Sequence, residues 1–281
     1  MKLEVQRQKA ERFRQMHDRK RILVLPNAWD AASAKIFEAA GFGAIATTSA
    51  GVAYTAGYPD GELMPREDLI TITRWIARCV EVPVTADIES GFAADTNGVA
   101  DTVRALIEAG AVGINLEDSI HVAARRLYDI GAAVERVQAA REATKAMGVP
   151  LVINARTDVF LLGIGDKAGR FELAVERLNA YRRAGADCLY PIGYFDSATI
   201  ARLVKAVEGP INVIGLAGMP AAAELERLGV ARVSTASGPC RVAMRATKQL
   251  AEALRRDGSF ELFGGDLMSH QEANALMSKR A

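Results

Sequence analysis

Eight short, almost uninterrupted apolar runs punctuate the chain, separated by longer amphipathic stretches, and no other feature limits the choice of fold as much. The runs lie at 22–26 (ILVLP), 44–49 (AIATTS), 82–89 (VPVTADIE), 112–118 (VGINLED), 151–157 (LVINART), 188–193 (CLYPIG), 211–215 (INVIG) and 232–237 (RVSTAS). Runs that are apolar on both alternating faces and then end in polar residues read as strands of a parallel sheet covered on both sides. The segments between them, such as 30–41, 96–110, 132–148, 170–185 and 197–209, carry helical spacing and close on Gly41, Gly110, Gly148, Gly185 and Gly209. Glycine there accepts the left-handed conformation that ends a helix. Eight such βα units predict a closed (β/α)8 barrel over residues 22–258. An open doubly wound sheet lacks its usual support, because no GxGxxG follows the first strand.

Two segments fall outside the barrel. Residues 1–21 predict a polar N-terminal helix, placed to plug the barrel bottom. Residues 240–281 predict one long helix and a weaker one, and 259–281 is too short and polar to stand alone, so it is expected to dock on something, a neighbouring subunit included. No low-complexity stretch divides the chain, so 1–281 is read as a single domain. Lys and Arg total 35 against 34 Asp and Glu, a formal net charge of +1. That balance excludes a nucleic-acid binder's basic footprint and gives no sign of a membrane-surface role. No run reaches the 18 or more apolar residues of a membrane-spanning helix, and the N-terminus lacks a signal peptide's apolar core. Cys79, Cys188 and Cys240 are scattered and suit core packing. A cytoplasmic enzyme working on a small molecule is the expected class.

In a barrel of this kind the reacting groups come from the C-terminal ends of the strands. Those positions hold Asp87 and Glu89, two residues apart and so expected on one strand face; Glu117 and Asp118; Arg156, Thr157 and Asp158; and, after the second strand, Thr47 to Gly51 followed by Tyr58, Pro59 and Asp60. Converging carboxylates repel one another in a low dielectric, and a hard divalent cation, Mg²⁺ or Mn²⁺, removes that conflict with oxygen ligands. His17, His121 and His270 stand far apart in sequence, so a zinc site is not expected. Plainer readings stand beside these. Asp118 and Asp158 suit helix caps or turns, Asp87 and Glu89 could pair with rim arginines, Arg156 could serve only to neutralise Glu117, and Asp60 sits in a turn-like GYPDG. The loops 216–220 and 236–240 read as helix starts, with Pro220 and Pro239 in the first turns. Asn212 could reach in from the seventh strand, and Tyr190, Ile192 and Tyr194 could line the mouth.

The strings LPNAWDAASAKIFEAAGFGAIATTSAGVA (25–53), PD (59–60), TADIESGF (85–92), INLEDS (114–119) and NARTD (154–158), in this order, resemble the isocitrate lyase/phosphoenolpyruvate mutase superfamily, in the manner of its phosphonomutase and methylisocitrate lyase members. The resemblance runs from about residue 22 to 258. It implies a (β/α)8 barrel whose last helix is exchanged between subunits, in a homotetramer assembled as a dimer of dimers. It also implies Mg²⁺ held by Asp87 as principal ligand, with Glu89 where many members carry a second Asp and Glu117 in the metal sphere. Asp60 matches the family's PD aspartate near the metal, and Arg156 the arginine that holds a substrate oxygen or carboxylate. Thr48, Ser49 and Ala50 match the loop that grips the carboxylate of a 2-oxo acid. The catalytic group is then Arg156, Asp60 and Glu117.

The segment 119–131, SIHVAARRLYDIG, departs from the family pattern. It lacks the lyases' Lys-x-Cys-Gly-His core and the mutases' longer gate with Lys-Thr and Asn. Its ionisable residues are His121, Arg125, Arg126, Tyr128 and Asp129. The implied activity is a Mg²⁺-dependent carbon–carbon lyase that stabilises a pyruvate-type enolate from a small 2-oxo or 2-hydroxy acid. A phosphonopyruvate-type P–C mutase or hydrolase and a non-catalytic binder of 2-oxo acids are the alternatives.

Overall fold

Every one of the eight apolar runs contains a strand in the computed structural model, which describes residues 2–121, 126–265 and 267–278. These are β1 (Leu23–Leu25, continued after Pro26 by Asn27–Ala28), β2 (Ile45–Thr47), β3 (Val84–Asp87), β4 (Gly113–Glu117), β5 (Val152–Thr157), β6 (Cys188–Pro191), β7 (Asn212–Ile214) and β8 (Arg232–Ser234). Most are shorter than their runs, because the polar ends leave the ladder and turn into loops. All the pairings between neighbours are parallel. Strand β1 joins both sides of the ring: Leu23–Leu25 pair with β8, and Asn27–Ala28 pair with β2. Pro26, which has no N–H to donate, sits where the pairing changes sides. A bridge between Leu189 and Ile211 links β6 to β7 and completes the circuit. The architecture is the expected eight-stranded α/β barrel.

Among the described residues twelve α-helices accompany the strands: α1 (Leu3–Gln15), α2 (Ala31–Ala39), α3 (Ser49–Thr55), α4 (Arg66–Cys79), α5 (Thr96–Ala109), α6 (Ile130–Met147), α7 (Val159–Leu162), α8 (Arg170–Arg183), α9 (Ser197–Ala206), α10 (Ala222–Arg227), α11 (Gly238–Asp257) and α12 (His270–Ser278). Local chemistry sets several of their ends. Asp30 and Ser33 form a reciprocal capping box on α2, and Asp95 and Asp196 cap α5 and α9 by accepting from Gly98 and Thr199 N–H. Gly110 and Gly148 end α5 and α6 at φ of +103° and +64°. Gly209 does not play the part expected of it: α9 stops earlier, at Ala206, because Val207 turns extended, at φ −94° and ψ 131°.

The N-terminal helix closes the barrel bottom. Phe13 of α1 is fully buried, and a Cβ on Gly113 would lie 2.7 Å from its ring, so the first residue of β4 has room for hydrogen alone. Gln6 of α1 donates to the carbonyls of Ile107 and Ala111, just before β4. At the other end of the chain, α11 keeps Val242 and Met244 exposed, and α12 lies beside α2 of the same chain. Among the described residues no helix is long and apolar enough to cross a membrane.

Candidate active site

Strand register assembles the site. Asp87 stands beside Asn115, Glu117 beside Arg156, and Arg156 beside Tyr190. Arg156 is the hub. Its Nη1 lies 2.6 Å from Glu117, and its Nε and Nη2 donate to the two oxygens of Asp158 at 2.5 and 2.8 Å. Asp158 thus fixes the guanidinium plane, a bidentate grip that a lysine could not receive.

Two cavities open off this hub, and Arg156 lines both. The lower, about 40 Å³, is lined by Asp87, Asn115, Tyr190, Ile192, Arg232 and Ser234 among others. The upper, about 320 Å³, is lined by Ser49, Asp60, Glu89, Glu117, His121 and Asp158 among others. Asp87 and Glu89 therefore serve different levels. The simple alternation expected for them fails because β3 ends at Asp87 and Glu89 adopts a left-handed backbone, φ +49°. Such a conformation is strained for a glutamate and concentrates at functional sites. Arg136 of α6 steadies that turn from behind, donating to the Ser90 and Ala93 carbonyls at 2.7 Å.

Asp87 is oriented by a chain of amides: Asn154 donates to Asn115 at 2.5 Å, and Asn115 donates to Asp87 at 3.0 Å. The backbone N–H of Ser49 adds a 3.3 Å contact to the other oxygen. Thr48 caps α3, accepting from Gly51 N–H, and Ala50 is buried in the first turn of that helix. Asp60 lies on an exposed loop with its carboxyl turned inward, where burial and then Asp87 push its pKa up. Burial, followed by Asp60, pushes Glu89 up to about 9. Burial pushes Glu117 up to about 7, Arg156 opposing. His121 sits between them, Nε2 2.8 Å from Glu117 and 3.4 Å from Glu89. Burial disfavours its charged ring, but the two carboxylates outweigh this and hold it up at about 9.

Other expected residues fall elsewhere. Asn212 is fully buried, donates to Ser234 and lines neither cavity. Tyr190 and Ile192 line the lower cavity, whereas Tyr194 is 64% exposed and donates to the Gly218 carbonyl. Asp118 points away from the mouth and is held by Thr157, Tyr181, Arg177 and the Asp158 N–H. In the gate, Ser119–Ile120 pairs with Arg126–Leu127 as a short antiparallel hairpin, with Arg126 exposed. Arg125 lies outside the described residues. Sequence reasoning missed the Asn115–Asn154 chain and Arg232; both show as polar residues inside apolar runs.

Among the described residues no group of three or more His, Cys, Asp or Glu forms a ready-made metal cluster. The arrangement still fits Mg²⁺, which keeps several waters and usually needs only one or two protein carboxylates together with substrate oxygens. Asp87, supported by amides and unpaired with any cation at ion-pair distance among the described residues, is such a carboxylate.

The phosphoenolpyruvate phosphomutase family model matches residues 13–255. A candidate lyase/mutase from Burkholderia cenocepacia J2315 is similar in structure, with a TM-score of 0.90 and 38% identity over 98% of this chain and 97% of that one. The 2-methylisocitrate lyase of Halalkalibacterium halodurans is 28% identical, over 97% of this chain and 91% of its own. A phosphonopyruvate hydrolase solved with oxalate and Mg²⁺ matches with a TM-score of 0.84 and 27% identity, over 95% and 94% of the two chains. With the barrel closed, and with Asp87, Glu117 and Arg156 gathered at its mouth, the chain belongs to the phosphoenolpyruvate phosphomutase family, within the isocitrate lyase/PEP mutase superfamily of enzymes.

Proposed function

We propose that this protein is a Mg²⁺-dependent carbon–carbon lyase that cleaves a small 2-oxo or 2-hydroxy di- or tricarboxylic acid through a pyruvate-type enolate. The observation that carries this reading is that Asp87 and Arg156 face one small cavity inside the barrel, below its mouth. Asp87 would hold the cation, and Glu89 and Glu117 are the further carboxylates that would belong to its surroundings. Bound there, Mg²⁺ would supply Lewis acidity to the substrate's carbonyl and carboxylate oxygens. Arg156, locked by Asp158, presents a fixed positive edge where oxyanion charge grows as the bond to C3 breaks. A donor that binds the enolate more strongly than the ketone lowers the barrier as well as holding substrate. Ser49 and the first turn of α3 stand beside Asp87 and would orient the substrate carboxylate. Proton transfer at C3 falls to the upper cavity, where His121, Glu89, Glu117 and Asp60 are the groups that can hold a proton. The exposed apolar residues of α11 and beyond, Val242, Met244, Phe260 and Leu262, support a homo-oligomer in which the C-terminal helices pack on a second subunit.

The test is a screen for pyruvate, glyoxylate and CO₂ release from candidate acids with Mg²⁺ present. Wild type is expected to turn over at least one acid, EDTA to abolish turnover, and Asp87→Ala to reduce it by orders of magnitude. Equal turnover by Asp87→Ala rejects the metal role. Inorganic phosphate from phosphonopyruvate without C–C cleavage of any acid assigns the P–C reaction instead. Stabilisation by oxalate and Mg²⁺ with no turnover assigns a binder.

A further inference from the structure

Arg232 opens β8, where an inward-facing residue of a barrel core is ordinarily apolar. It is 2% exposed, and its Nε and Nη1 have no hydrogen-bond partner among the described residues. It forms no ion pair there either, in contrast to Arg156, which has two carboxylates for one guanidinium. An arginine stays protonated in a protein interior, and a buried charge without a counter-charge is strongly unfavourable. Asp87 shares its cavity but stands beyond ion-pair distance, so the place beside the guanidinium is left for a bound anion. The side chain lines the lower cavity together with Asp87 and Arg156. That cavity, about 40 Å³, has room for a few water-sized groups, about the bulk of one carboxylate and too little for a carbon chain. It shares Arg156 with the upper cavity of about 320 Å³, which has room for the rest of a small acid.

We propose that Arg232 is a second anion-binding residue of this site, seating one carboxylate of a doubly charged ligand at the barrel floor, with the remainder rising past Arg156. This rests on the reading of the site as one for small di- or tricarboxylic acids and assigns one of their carboxylates a seat. The unmade donors of Arg232 then belong to a floor that is polar in order to be filled.

The probe is oxalate, titrated calorimetrically and by thermal unfolding, once with EDTA and once with Mg²⁺. The proteins are wild type, Arg232→Met and Arg232→Lys. Arg232→Met is expected to unfold, without ligand, at or above the wild-type temperature, since an apolar side chain replaces an unpaired charge. Its oxalate affinity should fall about 10- to 100-fold in both conditions, the range for losing a charged hydrogen bond. Arg232→Lys, which keeps the charge but not the planar fork, should fall between the two. An unliganded Arg232→Met that melts well below wild type yet binds oxalate as tightly makes Arg232 a structural brace and overturns the proposal. So does Arg232→Lys with wild-type affinity, should Arg232→Met fail to fold. If wild type itself ignores oxalate in both conditions, the 2-oxo acid reading fails, and the assignment of Arg232 with it.

Discussion

Glu117 and Asp118 are neighbours at the end of β4, both carboxylates, both nearly sealed from solvent, and they have opposite surroundings. Asp118 faces outward from the barrel axis into a closed shell, where two hydroxyls, a backbone N–H and the Arg177 guanidinium meet it at 2.7 to 3.2 Å. Glu117 faces the mouth, where it shares Arg156 with Asp158 and His121 with Glu89. A carboxylate that holds structure together is surrounded by donors that have no other task. One that serves chemistry is left among rival carboxylates, and its partners can be recruited by a ligand. Glu117 is the last residue of β4 and Asp118 the first beyond it, and their side chains leave the chain on opposite sides, so a one-residue step separates the two surroundings.

The comparison breaks most visibly at Asp118. Asp118→Ala leaves the Tyr181 hydroxyl without its acceptor and Arg177 without its carboxylate, with only the Tyr128 carbonyl and the phenol oxygen remaining to it, and unfolding by urea should show a loss of about 3–5 kcal/mol. Asp118→Asn, which keeps the shape, should cost less, and the surviving folded enzyme should retain its turnover. Glu117→Gln is the mirror case. Arg156 keeps its bidentate hold on Asp158, so stability should change by less than about 1 kcal/mol. Its kcat/KM on the substrate found in the screen should nonetheless drop about 100- to 1000-fold, as for loss of one charge-stabilising group. A Glu117→Gln variant that unfolds easily, or an Asp118→Ala variant that folds well and is inactive, would reverse the assignment of the two roles.

How much of this could be read beforehand follows from the kind of signal each residue gives. The barrel was legible because a doubly covered strand must be apolar along its whole length, and eight such runs leave few alternatives. Asp87, Glu117 and Arg156 were legible because a barrel collects chemistry at its strand ends. Glu89 was placed correctly at the mouth but for the wrong local reason, since a left-handed turn, invisible in the string DIESG, carries it to the upper level. Asp158 suits a turn in sequence, and only the folded register shows it gripping Arg156. The Arg177 and Tyr181 clamp comes from α8, some sixty residues beyond Asp118, a separation that no local pattern spans. Arg232 escaped because it begins a strand, the opposite end from the one where function is sought.

A smaller difference separates two histidines, half-buried His121 and buried His17, one at each end of the barrel. His121 at the mouth has carboxylate neighbours; His17 at the bottom accompanies Phe13, and burial followed by the charge of Arg232 pushes its pKa down to about 4. The unfolded chain binds a proton at His17 near pH 6.5, whereas the folded chain resists it until about pH 4. Its contribution to stability is therefore complete above pH 6.5 and is lost as the pH falls through that window. Compared with His17→Gln by urea unfolding at each pH, wild type should lose about 2–3 kcal/mol more between pH 6.5 and 4. Parallel curves for the two proteins would show that His17 is solvated at the barrel bottom.

The smallest effect tests how redundant the shell around Asp118 is. Tyr181 is 1% exposed and gives Asp118 a 2.7 Å hydrogen bond, while Arg177 touches both the carboxylate and the phenol oxygen at 3.2 Å. Tyr181→Phe removes one donor and leaves the ring's packing in place. Asp118 keeps Thr157, the Asp158 N–H and Arg177, so no group is left without a partner, and the loss should stay near about 1–1.5 kcal/mol, one hydrogen bond's worth. Turnover should not change, because neither Tyr181 nor Asp118 lines either cavity. A loss approaching that of Asp118→Ala would mean the network acts as a unit, and a Tyr181→Phe, Asp118→Asn double variant would then show a large coupling energy. Values that simply add would leave Asp118 a carboxylate whose donors are independent, in contrast to Glu117, whose two cationic partners are each shared with another carboxylate.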